Sequence, residues 1–397
     1  MDTPPHPSLT LLTNLELFAP EPLGRRHLLV TGDRILWIGE AVPALDRGLG
    51  TEVVDLAGHR VIPGLIDAHV HLTGGGGEAG FETRVPPVPL TRFTLGGITT
   101  VVGLLGTDDL TRAPADLLAT TRGLNALGLS AYCFTGGYHL PPVTVTGSVR
   151  GDIVHCDPVL GVGEVALSDH RSSQPTLEQL LQVAAEAHVA GLMTGKAGIV
   201  HLHLGDGARG LELVRRALAE SELPARVWHP THVNRRRALF EEAVALTAQG
   251  VTVDVTAFPV APEEDAWSAE DALQRYWAAG APAERITVSS DGGGCLPEFD
   301  ADGRVARMGV GDPGALAGTL RALLGRGVPL AQALPPFTAN VARVLRLGRK
   351  GRLAVGADAD LVVLDEAGNV QDVMAQGRWH VRARRPVVQG PFEEAAR

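Results

Sequence analysis

Short apolar runs separated by Gly and Asp open the chain. Leu9 to Leu17, His27 to Thr31, Arg34 to Ile38 and Glu52 to Leu56 are rich in Val, Ile and Leu and read as strands joined by turns. From Val61 the rhythm changes, and short apolar runs alternate with longer stretches of helical period. That is the pattern of βα units on a parallel sheet. Eight runs stand out: Ile62 to Asp67, Ile98 to Leu105, Leu129 to Thr135, Leu160 to Ala166, Ile199 to Leu204, Ala225 to His229, Val251 to Ala257 and Ile286 to Ser289. Helices are predicted over Thr111 to Leu127, Leu177 to Ala190, Ala208 to Ala219, Arg237 to Gln249, Ser268 to Ala279 and Pro313 to Leu324. The stretch from Gly136 to Pro158 reads as an inserted loop or hairpin.

Eight such units in about 280 residues match the size of a closed barrel. An open doubly wound sheet is the competitor, but it would leave the polar strand ends without a common focus. After Leu345 strands return, at Leu361 to Leu364 within Gly351 to Asp365, then Val370 to Ala375, Trp379 to Arg382 and Pro386 to Val388. The architecture expected is α/β: a TIM-like (β/α)8 barrel over residues 63–342 and a small β-sandwich domain built from both termini, residues 1–62 and 343–397.

Composition narrows the function. Of 397 residues 45% are hydrophobic and 20% charged, which suits a packed globular protein and excludes a disordered or fibrous one. With 45 acidic and 35 basic residues the formal charge is -10. A net acidic chain lacks the positive footprint of a nucleic-acid or anionic-membrane binder, so neither partner is expected. No apolar run approaches the ~20 residues that span a bilayer. Met1 to Thr13 has no secretory pattern, and Cys133, Cys156 and Cys295 are too widely spaced for a disulfide framework or a cysteine zinc site. A cytoplasmic location is expected.

The chemistry gathers at the C-terminal ends of the strands, the functional face of a barrel. His69 and His71 stand two apart on the first strand and so point to the same side. Alone they would read as two packed histidines. They are not alone: the fourth strand ends in Glu164, the fifth in His203, the sixth is followed by His232 and the eighth by Asp291. Four imidazoles and two carboxylates at five strand ends point to one or two divalent metals. His201 shares the face of His203 and reads as a packing residue; His139, His170 and His229 read as structural neighbours.

Pro63-Gly64-Leu65-Ile66-Asp67-Ala68-His69-Val70-His71 resembles the first-strand signature of the amidohydrolase superfamily. Further segments resemble the isoaspartyl dipeptidase family within it: His71-Leu72-Thr73 with the run Gly74 to Gly80, Gly103 to Asp108, Thr135 to His139, Thr146 to Val149, Ser168 to Ser172 and Pro230 to Arg235. The similarity runs from about Leu9 to Glu393. It implies two Zn2+ ions per subunit, His69 and His71 with Asp291 on the more buried ion and His203 with His232 on the other. It also implies roles for the remaining residues. Asp291 would be general base and then acid towards a metal-activated water. Tyr138 would donate to the oxyanion. Glu78 would pair with the substrate ammonium, Arg171 and Arg235 with its carboxylates, and Thr107 would add a hydrogen bond. Outside these motifs the same residues would read as a packed tyrosine and solvated surface charges. The resemblance further implies a homo-oligomer, an octamer being the family's assembly.

Two positions depart from the pattern. The family bridges its metals with a carboxylated lysine, and Glu164 occupies that place. The chain has two lysines, Lys196 before the fifth strand and Lys350 in the terminal strands, so a carbamate bridge is not expected. Glu164 is expected to bridge instead, its shorter reach met by a local shift at Gly163. Cys295 stands where the family has a small hydroxyl lining the substrate pocket. A thiol is a weaker donor, so an altered substrate preference or turnover is expected, and no nucleophilic role. The function expected is metal-dependent hydrolysis of the isopeptide bond of β-aspartyl dipeptides. The rivals are hydrolysis of a cyclic amide or an N-acyl amino acid, and a non-catalytic relative that keeps the barrel.

Overall fold

Strands occupy both ends of the chain in the computed structural model, which describes residues 9–46, 48, 50–299 and 305–393. The first eight and last four residues of the expected terminal domain lie outside the described residues. The N-terminal strands are β1 (Leu9–Phe18), β2 (Pro22–Thr31), β3 (Arg34–Gly39), β4 (Thr51–Asp55) and β5 (Arg60–Pro63). Then come β6 (Leu65–Val70), β7 (Ile98–Gly103), β8 (Ser130–Thr135), β9 (Val159–Leu167), β10 (Val200–Leu204), β11 (Trp228–Thr231), β12 (Val253–Thr256) and β13 (Ile286–Ser289). A hairpin of β14 (Cys295–Phe299) and β15 (Val305–Val310) precedes β16 (Leu361–Leu364), β17 (Val370–Ala375), β18 (Arg378–Arg382) and β19 (Arg385–Pro386).

The two chain ends share one nine-stranded sheet, ordered β19-β18-β17-β16-β5-β1-β2-β3, with β4 parallel beside β1. The seam is β5 against β16, antiparallel, with Pro63 opposite Leu361 and Arg60 opposite Leu364. Leu12, Leu15, Leu17, Leu28, Val61 and Met374 form a buried apolar cluster of this region. Lys350 is buried there, its Nζ 2.5 Å from Asp360 Oδ2 and 2.5 Å from Ser130 Oγ. Ser130 opens β8, so one paired ammonium joins the terminal sheet to the base of the parallel one.

β6 to β11 form a six-stranded, curled parallel sheet in chain order, and β12 pairs parallel with β13. Val70 of β6 bridges in parallel to Gly292, just past β13, so the last strand lies beside the first. Buried Asp67 latches this junction, accepting from the Ser290 hydroxyl and from the Ser290 backbone N–H at 3.1 Å. Burial pushes its carboxyl up to about 7 against those hydrogen bonds.

The helices lie where the periodicity placed them, within a few residues. The helix Leu177–Thr194 opens on a capping box, Thr176 with Gln179, and ends at Gly195 in the left-handed region at φ 74°. It buries Leu177, Leu180, Val183, Ala184, Ala187 and Ala190, the i, i+3, i+4 stripe of an amphipathic helix.

Three local expectations need correction. The stretch 136–158 is not only loop: it contains the helix Val149–His155, capped by Ser148, whose side chain accepts from the Gly151 N–H. Two buried turns with apolar contacts at Val149 and Ile153 are too few for a period to show. The run Ile62 to Asp67 is two strands, because Ile62 pairs with Val362 in the terminal sheet and the parallel sheet begins at Leu65. The hairpin β14–β15 follows Asp291 where no strand was anticipated. Among the described residues no helix is long and apolar enough to cross a membrane.

Candidate metal centre

The strand ends bring the expected residues together around Glu164, which is buried at 1% side-chain exposure. Its Oε2 lies 3.0 Å from His203 Nδ1, 3.5 Å from His69 Nε2 and 3.5 Å from His232 Nε2. Its Oε1 lies 3.5 Å from His71 Nε2. Asp291 Oδ1 faces the same two imidazoles from the other side, 3.1 Å from His71 Nε2 and 3.5 Å from His69 Nε2. Three triads have ligand atoms close enough to hold an ion: His69, His71 and Glu164; His69, His232 and Asp291; Glu164, His203 and His232.

Local backbone explains how a glutamate reaches this point. Between β9 and β10 the partners step from Val200↔Val162 to Leu202↔Val165, so β9 carries one extra residue at Gly163-Glu164. Such a bulge re-aims side chains. A Cβ on Gly163 would stand 2.7 Å from both the Cβ and the carbonyl oxygen of His201, so only glycine fits. Gly106 is similarly confined: a Cβ there would lie 2.8 Å from His71 Cε1. Two members of the cluster sit in the left-handed backbone region, His232 at φ 59° and Asp291 at φ 52°. Asp and His tolerate it better than most residues, and such outliers cluster at functional sites.

The electrostatics suit a cation. Burial, reinforced by the Asp291 carboxylate, drives the Glu164 carboxyl well above its ordinary range. Burial pushes the His203 imidazole down to about 3 and that of His232 well below its usual value, so both rings are neutral and bear a lone pair. Burial alone would raise Asp291; the imidazoles of His69 and His71 beside it outweigh burial and hold the carboxyl well below the ordinary range. His69 Nε2 and Asp291 Oδ1 are buried with no hydrogen-bond partner among the described residues. Orphaned buried groups of this kind are costly unless something coordinates them. Imidazole nitrogens and carboxylate oxygens fit a borderline divalent ion such as zinc.

The expected substrate-facing residues ring this cluster. Tyr138 Oη is 2.8 Å from His203 Nδ1, and burial, then Glu164, raises its phenol well above the usual value, so it stays a donor. Arg171 Nη1 lies 3.3 Å from Glu78 Oε1, and its guanidinium carbon sits 5.5 Å from the Tyr138 ring centre. Arg235 Nη1 donates to the Leu204 carbonyl at 2.7 Å. Cys295 Sγ stands 3.8 Å from Met308 Sδ, and burial, with the Glu78 and Asp291 charges, pushes its thiol up to about 11. It is a protonated thiol at neutral pH. Thr107 is half-buried after β7 and makes no hydrogen bond to the cluster among the described residues.

Asp169 was passed over in the sequence. Its carboxylate takes Arg171 Nε at 3.0 Å and Nη2 at 2.7 Å, and its Oδ2 lies 3.1 Å from His203 Nε2. It therefore aims the arginine and holds the His203 proton on Nε2, leaving Nδ1 towards Glu164. The available signal was a carboxylate two residues before a candidate binding arginine. Burial would raise Asp169; the hydrogen bonds of His203 and Arg171 outweigh it and hold the carboxyl well below the carboxylate range. A depressed pKa stabilises the fold above the unfolded value near 3.9 and loses that contribution as pH falls below it. Asp169→Asn is expected to destabilise the metal-free protein by about 2 kcal/mol at pH 7, from the loss of charge-assisted hydrogen bonds to the half-buried Arg171. The gap in melting temperature should narrow below about pH 4. A gap that stays constant through a pH series of thermal melts would remove the ionised carboxylate from this account.

Comparison with known proteins follows the same lines. Residues 60–380 match the model of the amidohydrolase family. The crystal structure of a beta-aspartyl dipeptidase from Fervidobacterium islandicum AW-1, in complex with beta-Asp-Leu dipeptide, superposes with TM-score 0.92 at 39% identity, covering 98% of this chain and 100% of that one. A dihydropyrimidinase from Brevibacillus agri shares the fold at TM-score 0.66 and 17% identity, over 96% of each chain. An imidazolonepropionase from Ruegeria sp. (strain TM1040) is 26% identical over 360 residues, 85% of each chain.

Proposed function

The chain belongs to the amidohydrolase family, and from that premise we infer that it hydrolyses the isopeptide bond of β-aspartyl dipeptides. The observation that carries the reading is 39% identity with a beta-aspartyl dipeptidase over 98% of this chain. The buried Glu164 cluster and its ring of Tyr138, Arg171, Arg235 and Glu78 support it.

In this reading His69, His71 and Asp291 would hold one zinc ion and His203 and His232 the other, with Glu164 the ligand that would serve both in place of a carboxylated lysine. Bound ions supply a nucleophilic water at neutral pH and polarise the amide carbonyl. Asp291 takes the proton that the attacking water loses and returns it to the leaving amine as the C–N bond breaks, giving aspartate and a free amino acid. Tyr138 donates to the oxygen that gains negative charge. Arg171 and Arg235 grip the substrate carboxylates, and Glu78 pairs with its α-ammonium group. Thr107 and Cys295 line the pocket.

The domain reading belongs here too. Residues 63–342 form a closed (β/α)8 barrel, its closure supported by the Val70–Gly292 bridge. Residues 1–62 and 343–397 form a small β-sandwich, supported by the sheet shared between the two chain ends. A cytoplasmic homo-oligomer, octameric by family resemblance, completes it.

Hydrolysis of β-aspartyl-leucine and α-aspartyl-leucine with zinc present tests the function. The β-linked peptide is expected to be cleaved at least about a hundredfold faster, since a site of fixed charges rejects a misplaced carboxylate strongly. Equal rates on both, or cleavage of a cyclic amide or N-acetyl-aspartate in preference, would overturn the substrate assignment.

A further inference from the structure

Behind His69 lies a buried file of side chains that the chemistry above does not use. His69 Nδ1 is 2.8 Å from His201 Nε2, and His201 Nδ1 is 2.9 Å from His229 Nδ1. His229 Nε2 is 3.1 Å from the Thr287 hydroxyl, which donates to Asp254 Oδ1 at 2.6 Å. Thr231 and Ser289 donate to Asp254 Oδ2 at 2.7 and 2.5 Å. Every member is buried. Sheet register builds the file, since His201 pairs with His229 across β10 and β11 and Asp254 with Thr287 across β12 and β13. Phe134 stacks on His201 at 5.1 Å between ring centres.

Counting protons gives the file a direction. Thr287 has one hydroxyl proton and gives it to Asp254, so its oxygen accepts from His229 Nε2–H. A neutral ring carries a single N–H, so His229 Nδ1 is bare and accepts from His201 Nδ1–H. His201 Nε2 is then bare and accepts from His69 Nδ1–H. The lone pair of His69 is thereby left on Nε2, the orphaned atom that faces Glu164 and Asp291.

We propose that Asp254, Thr287, His229 and His201 form a proton-ordered relay that fixes the tautomer of His69 and holds its Nε2 ready for metal. His201 and Thr287 are positioning residues, acting through His69 alone. The inference rests on the reading of His69 as a metal ligand. Partners of this kind contribute about 10- to 100-fold in metal affinity. Without the relay the proton is free to sit on Nε2, where it competes with the ion.

Zinc titration of the full-length protein against a chromophoric chelator tests this, with melts of the metal-free forms as a fold check. His201→Phe is expected to weaken zinc binding about 10- to 100-fold. His201→Gln, which offers an acceptor to His69 and a donor to His229, should restore affinity to within a few-fold. Thr287→Val removes a hydroxyl three hydrogen bonds from His69 without changing shape, and should weaken binding about tenfold. A folded His201→Phe or Thr287→Val that binds zinc like the wild type would overturn the relay while leaving the metal centre standing. Failure of the wild type itself to bind zinc would overturn the metal centre and the relay with it. Should both variants fail to fold, 15N shifts of the histidines in metal-free wild-type protein decide. His69 and His201 must be Nδ1–H tautomers and His229 an Nε2–H tautomer; an Nε2–H tautomer at His201 overturns the relay.

Discussion

Glu164→Ala is expected to abolish hydrolysis of β-aspartyl-leucine, by more than about a hundredfold, and to lower bound zinc in parallel. The magnitude follows from position. Side chains that merely orient a ligand contribute about 10- to 100-fold, whereas the Glu164 oxygens stand 3.0 to 3.5 Å from four imidazoles. Two corollaries separate a glutamate bridge from a carboxylated lysine. Activity should be indifferent to the removal of dissolved carbon dioxide, since no carbamate has to form. Zinc affinity should rise with pH, because burial and Asp291 keep the Glu164 carboxyl protonated well above its ordinary range, and the ion must displace that proton. The sign is fixed by the direction of the shift. Purified Glu164→Ala that retains two equivalents of zinc and activity within threefold of wild type would sink the bridging role.

Tyr138→Phe should lower kcat about 10²- to 10³-fold with little change in KM. That range is typical for loss of one donor to a developing oxyanion, about 2.7–4 kcal/mol. Phenylalanine keeps the ring contact with His203, 4.5 Å between centres, and so isolates the hydroxyl. The phenol is held well above its ordinary pKa by burial and by the Glu164 charge, so it donates without titrating. No alkaline limb belonging to Tyr138 is expected in the wild-type pH–rate profile. Steady-state kinetics of the variant decide: an unchanged kcat would reduce Tyr138 to a packing residue.

The cluster of imidazoles and carboxylates was legible because it obeys short-range rules. His69 and His71 share a strand face by alternation, and His203, His232 and Asp291 lie at or just past the end of an apolar run whose length marks a strand, whereas Glu164 lies within β9, three residues before its end at Leu167. Runs such as Ile286–Ser289 and Val370–Ala375 coincide with the observed strands for the same reason. Where the reading failed, long-range pairing decided. Ile62 and Leu65 belong to one apolar run in sequence, yet they lie in different sheets because β5 finds β16 some 300 residues away. The helix Val149–His155 owes its place to Asp152, whose carboxylate accepts from Thr135 at 2.5 Å and from the Val145 N–H at 2.8 Å.

The amino-acid sequence by itself determined the periodicities, the donor chemistry and the missing lysine, since each is a property of residue identity and local spacing. Only the tertiary structure decided how the Glu164 carboxylate comes to lie among four imidazoles. The extra residue of β9 at Gly163 is defined against β10, and the glycine is required by the approach of His201. It alone also decided that His201 and His229 are hydrogen-bonded in file behind His69, because a proton's position on an imidazole depends on every partner down to Asp254. Those partners come from four different strands, and folding is what brings them within hydrogen-bond reach.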